Sequence, residues 1–200
     1  MTVAEFEEIK RKVLRQLEDQ LPENLTYHNA SHTADVLEQA QYIAQQEGFT
    51  NEEEIMLLKI AALFHDTGFL KVYKNHEAKG CAIVRVQMQH IFDEAALEKI
   101  CGLIMATKIP QKPLTPLEEI ICDADLDYLG REDFGPISNA LRLEFLANNI
   151  VKNDREWQEK QISFFEQHKY FTATSNSKRN SRKQERLQEL KTIFSLQYGL

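Results

Sequence analysis

Glycine and proline are scarce, at seven and five in 200 residues. An all-β sandwich or barrel needs a turn roughly every ten residues, and this chain lacks the residues to make them. Strand-forming runs are hard to find as well. The three cysteines, Cys81, Cys101 and Cys122, are odd in number and lack zinc-site spacing. Each lies in an apolar helical context, which reads as reduced, buried thiols of a cytoplasmic protein. No apolar run approaches the ~18 residues of a membrane span, so none is expected. The charged, amphipathic opening "MTVAEFEEIKRKVLRQLEDQL" is unlike a secretory signal. Positive charge is in deficit: 24 Lys and Arg face 31 Asp and Glu, a net −7. That argues against a protein that coats nucleic acid. It leaves an anionic substrate open, because a bound cation can reverse a local field.

Long stretches rich in Glu, Lys, Gln, Leu and Ala favour helix. The pattern predicts helices over 3–20, over 30–47 with Gly48 closing it, and over 51–69 with Thr50 and Glu53 as a capping box. Further helices are expected over 76–92, over 94–107 capped by Asp93, and over 116–129 opened by Thr115, Pro116 and Glu118. One or two more fill 133–169. "TATSNS" reads as a polar break before a last helix, "KRNSRKQERLQELKTIFSLQ". Its basic start, Lys178, Arg179, Arg182 and Lys183, reads as a solvated helix end or a cover for a cleft. The expected fold is all-α, a single domain over residues 1–200 with about seven to nine helices.

Inside this frame, "AALFHDTGFL" sets His65 and Asp66 side by side among apolar residues. A buried carboxylate there is costly unless paired. Neighbours on a helix stand about 100° apart, so the two can straddle a small cation, or Asp66 can pair with a basic side chain. "YHNASH" places His28 and His32 four apart, on one face if helical; either suits a ligand, an acid or a base. "CDADLDYLG" carries Asp123, Asp125 and Asp127. It lacks the spaced Gly and final Glu of a calcium loop. Asp125, between Ala124 and Leu126, is the one whose setting asks for a cation. Asp123 and Asp127 read as supporting or solvated. His90 reads as surface, and His168 as structural or surface.

Together "YHNASHTADV", "AALFHDTGF", "NHEAKG" and "CDADLDYLG" resemble the HD-domain superfamily of metal-dependent phosphohydrolases, over about residues 27–130, with helices from 131 to 200 beyond. The resemblance implies an all-helical, phosphodiesterase-like fold. It implies His32, His65, Asp66 and Asp125 as ligands of one divalent ion (Mn, Fe, Co, Ni, Zn or Mg). "YHN" with a second His four residues on is also similar to cyclic-nucleotide phosphodiesterases. That likeness implies His28 as the acid and His32 as a ligand, with Asp66 shared between metal binding and catalysis. Many two-metal members carry a further His where "GLIMATK" has Thr107 and Lys108. His76 is then the candidate for a second-metal ligand or a substrate contact, and Lys108 the first-ranked phosphate contact, ahead of Lys71, Lys74 and Lys79. The Glu-Asp pair of (p)ppGpp hydrolases and the Gly-Tyr-Pro signature of cyclic-di-GMP phosphodiesterases are missing. The expected activity is hydrolysis of a small phosphoester, a nucleotide or cyclic nucleotide. The alternatives are a di-iron oxygenase, for which His76 and His90 would complete the ligand set, and a non-catalytic sensor.

Overall fold

The computed structural model describes residues 1–199; Leu200, the end of the expected 1–200 domain, lies outside the described residues. Among them are nine α-helices and no strand. They are α1 (Val3–Gln20), α2 (Ala30–Gln46), α3 (Glu52–Phe64), α4 (His76–Met88), α5 (Glu94–Ala106), α6 (Pro116–Asp125), α7 (Phe134–Ala147), α8 (Asp154–Gln167) and α9 (Ala173–Tyr198). No helix among the described residues is long and apolar enough to cross a membrane.

Helix α3 is the centre of the packing. Its last eight residues include Leu57, Leu58 and the run Ile60–Phe64, all buried. A helix apolar on every side belongs inside, and α1, α2 and α5 enclose this one. Each large side chain so buried contributes roughly 1.5–3 kcal/mol. A second cluster joins Tyr27, Leu126, Tyr128 and Leu129 to Phe134, Phe165 and Leu187 of the last three helices. That cluster seats α7–α9 against the end of α6.

Several helix ends differ from the expected ones, each for a local reason. Asn51, not Thr50, caps α3, accepting from the backbone N–H of Glu53 and Glu54. Thr115 accepts from Glu118 N–H, but the Glu118 carboxylate takes the N–H of Leu114, so only half of the capping box forms. Helix α4 stops at Met88, short of residue 92. Helices α3 and α6 stop at Phe64 and Asp125; the chain then tightens into short 3₁₀ turns, Thr67–Leu70 and Asp127–Gly130. "TATSNS" is no break: Thr172 caps α9 by accepting from Ser175 N–H, and the rest of the stretch is its first turn. The basic run therefore lies inside α9, and only part of it is solvated: Lys178 is exposed. Lys183 is 1% exposed and donates to the carbonyl of His168 at 2.5 Å, while Arg179 pairs with Asp127 at 2.8 Å.

Asp123 and Asp127 are not solvated either; both are structural. Asp123 is fully buried and accepts from the N–H of Phe171 and Thr172 and from the Thr172 hydroxyl, at 2.7–3.0 Å for the closest contacts. It anchors the start of α9. The cysteines carry no disulfide: Cys101 and Cys122 are buried and Cys81 is half-buried.

Candidate metal centre

Three helix ends meet beside the core. Asn29 caps α2 through the N–H groups of Ser31 and His32, which sets His32 in the first turn. His65 ends α3, and Asp66 follows as the chain turns into its 3₁₀ segment. Asp125 is the last residue of α6. The C-terminal ends of α3 and α6 carry negative partial charge, which favours a cation between them.

His32, His65 and Asp66 offer donor atoms that all lie within 4.8 Å of one another. The Nε2 atoms of His32 and His65 are 3.4 Å apart. Asp66 Oδ2 stands 3.5 Å from His32 Nε2 and 3.2 Å from His65 Nε2. Asp125 Oδ1 stands 3.2 Å and 3.7 Å from the same two atoms. Donors about 2.1 Å from one ion, at tetrahedral or octahedral angles, are about 3.0–3.4 Å apart. The donor atoms of His32, His65 and Asp66 therefore fit a divalent cation, and Asp125 faces the two imidazoles beside them. Two further observations agree. Asp66 Oδ2 is buried with no hydrogen-bond donor. His65 Nδ1 donates to the Ala62 carbonyl at 2.7 Å, which leaves Nε2 with its lone pair. The site asks for positive charge. Burial alone would lower the His65 pKa, yet the adjacent charge of Asp66, with Asp125 behind, pushes it up to about 9. Burial alone would raise the Asp66 carboxyl, but His65, then His76 and His28, hold it well below the usual range.

His76 joins from the start of α4. Its Nε2 lies 3.3 Å from Asp66 Oδ1 and 3.7 Å from Glu77 Oε1. Asp66 thus turns one oxygen to the His32–His65 pair and the other to His76. Gly68 makes this possible: a Cβ there would sit 1.8 Å from the carbonyl oxygen of His76. Phe69 packs against both His28 and His76, with ring centroids at 4.4 and 3.9 Å.

His28 precedes α2 and is held from a distance. Its Nδ1 meets Glu144 Oε1 of α7 at 2.5 Å. Glu144 is fully buried and also accepts from the N–H of Tyr27 and His28 and from the Tyr73 hydroxyl, each at 3.0 Å. Burial would lower the His28 pKa, but the Glu144 bond and the Asp66 charge raise it overall. Burial would raise Glu144, and His28 brings it down. Both shifts run in the direction that favours an imidazolium paired with a carboxylate.

A cavity of about 360 Å³ opens onto the cluster, and His28, Asp66, His76, Lys108 and Asp125 line it. Lys108 Nζ donates to Asn75 Oδ1 at 3.2 Å. A smaller cavity of about 280 Å³ reaches His32 from the side of Asp35 and Arg131; Tyr27 and Tyr128 border both. Lys71, Lys74 and Lys79 are exposed and do not line the larger cavity, and neither do His90 and His168. His90 is exposed beyond the end of α4, so it does not complete a six-ligand set. His168 is instead packed between Phe164 and Tyr170. The sequence reading missed Glu144, Phe69, Tyr73 and Lys160. Glu144 alone gave a signal, a carboxylate between Leu143 and Phe145, the same apolar setting that marks Asp125.

No curated protein matches the chain. The family model described as HD domain matches residues 29–127, a span that starts with the cap of α2 and ends two residues after Asp125. With an all-helical fold around the paired His65 and Asp66, the chain belongs to the HD-domain superfamily.

Proposed function

We propose that the protein is a metal-dependent phosphohydrolase that cleaves a small phosphoester, with a nucleotide or cyclic nucleotide as the first class to test. His32 and His65 would hold the ion through Nε2, with Asp66 through Oδ2 and Asp125 through Oδ1. A nitrogen–oxygen set of this kind suits Mn, Fe, Co, Ni, Zn or Mg. When bound, such an ion supplies Lewis acidity toward a phosphoryl oxygen and acidifies water. A second ion would have to draw on His76, Asp66 Oδ1 and Glu77.

The chain's own groups account for the remaining proton and charge transfers. In hydrolysis, a water oxygen bonds to phosphorus, the P–O bond to the alcohol breaks, and the leaving oxygen needs a proton. His28 carries one: Glu144 occupies Nδ1 and favours the charged ring, so Nε2 is the donor. The proton lost from the attacking water restores it. His76 and Lys108, both on the cavity wall, are placed to bind the phosphoryl oxygens. The observation that carries the reading is the cluster of His32, His65 and Asp66 donor atoms 3.2–3.5 Å apart, the orphaned Asp66 oxygen among them, with Asp125 Oδ1 3.2 Å from His32 Nε2.

The test is a metal-loaded screen of nucleotides, cyclic nucleotides and simple phosphoesters, with Asp66→Ala and Asp125→Ala as controls. Metal-dependent release of phosphate or a nucleoside monophosphate that both substitutions abolish is the expected result. Turnover that survives both would remove the assigned site. A fully metallated wild type without turnover would favour a sensor.

A further inference from the structure

The larger cavity extends well beyond the proposed metal ligands, and its far side has a different character. There the 3₁₀ turn after α6 presents Leu129, α7 presents Phe145, and α8 presents Trp157 and Phe164. Trp157 is 6% exposed and meets Phe145 edge-on at 5.5 Å. Several polar groups near this wall are already engaged. Gln161 donates to Ser138 Oγ at 2.6 Å, Tyr73 to Glu144 at 3.0 Å, and Thr107 to the Ile104 carbonyl at 2.8 Å. Charge returns only at the mouth, where Lys108 and Lys160 are exposed. A phosphate group needs a small part of about 360 Å³, a volume typical of sites for whole organic ligands.

We propose that this wall is the binding site for an aromatic ring carried by the phosphoester, held by stacking and burial and not by hydrogen bonds to its edge. The proposal rests on the phosphohydrolase reading, since it places the phosphoryl group at the His–Asp cluster and the ring against Trp157, Phe145 and Phe164. A wall with so few free donors and acceptors cannot distinguish one ring from another strongly, because discrimination of that kind needs buried polar partners. The substrate class is therefore ring-bearing phosphoesters of the nucleotide or aryl type, in preference to small sugar or alkyl phosphates. Every residue of this wall except Leu129 comes from α7 and α8, and all of it lies outside the matched residues 29–127.

The test uses two ligands that cannot be hydrolysed, methylphosphonate and benzylphosphonate, on the Mn-loaded full chain. Trp157 is the single tryptophan, so its emission reports directly on the wall; calorimetry gives both affinities. Benzylphosphonate is expected to bind at least about tenfold more tightly and to shift the emission, while methylphosphonate leaves it unchanged. Phe145→Ala and Phe164→Ala, two independent half-buried positions, are each expected to shrink that difference and to leave Mn and methylphosphonate affinities within about twofold. Equal affinity for the two phosphonates would overturn the inference and leave the phosphohydrolase reading standing. Failure of both to bind a metallated protein would overturn that reading, and the inference with it.

Discussion

Two segments, Glu52–Leu70 and Pro116–Gly130, are built to one plan. Each is an α-helix with a carboxylate at its C-terminal end or within two residues of it, followed by a 3₁₀ turn containing a glycine. At each glycine a Cβ would strike backbone, His76 O at 1.8 Å from Gly68 and Arg179 O at 2.4 Å from Gly130. The outcomes differ. At the first turn the close approach brings His76 onto Asp66. At the second it brings Arg179 onto Asp127, which serves the seating of α9 and leaves Asp125 free to face His32 and His65. One arrangement of backbone thus serves the candidate metal centre in one place and the scaffold in the other. A carboxylate in an apolar run needs a partner, and only the surrounding elements decide whether that partner is a cation, an arginine or a row of N–H groups.

The largest way to break this comparison is to remove the two site carboxylates in turn. Asp66 faces three imidazoles and Asp125 two, so Asp66→Ala should weaken Mn binding by more than about 100-fold, and Asp125→Ala by less than Asp66→Ala. Calorimetry on the two variants gives the order, and a reversed order would deny Asp66 its central place. Next come the glycines. Gly68→Ala should cost about 3 kcal/mol or more in urea denaturation and also lower Mn affinity. Gly130→Ala should destabilise as well but leave Mn affinity within about twofold. A smaller effect is expected at Asp123. Asp123→Ala strands the N–H groups of Phe171 and Thr172, at about 2–4 kcal/mol in stability, with no change in metal binding. Altered Mn affinity there would mean that the second segment is not purely scaffold next to its one ligand.

The smallest effect is in the pH dependence of the scaffold side. Burial and then the Lys183 charge hold the His168 pKa down to about 3, against about 6.5 when unfolded. The unfolded chain therefore takes up the proton first. Stability from this group is complete above about pH 6.5 and declines as pH falls toward 3. Between pH 7 and 5, wild type should lose about 1–2 kcal/mol more than His168→Gln in urea titrations. Identical losses would show that His168 titrates freely.

Most of the fold was legible because it is written locally. Apolar spacing and the caps at Asp93 and Thr115 marked helices directly, and three of the side chains singled out, His32, His65 and Asp66, gather in space with Asp125 near the two imidazoles. What failed to show was written across distance. Glu144 meets His28 from 116 positions away. "TATSNS" is poor in helix formers and became helical because Asp123, some 50 residues earlier, secures its start. The flanking Ala124 and Leu126 set Asp125 apart in sequence, but nothing local separates Asp123, an anchor, from Asp127, an ion-pair partner. Lys183 looked solvated because a lysine usually is; the His168 carbonyl that receives its ammonium lies 15 residues back.

The Glu144 carboxylate gathers Tyr27, His28 and Tyr73 onto one residue of α7. A fragment ending at Gly130 would keep all four proposed donors and the whole matched span, yet lose the group that orients His28. Such a fragment would make a useful subtraction: a chain that keeps His28, its proposed acid, without the carboxylate that holds it, in which metal uptake and bond cleavage should come apart.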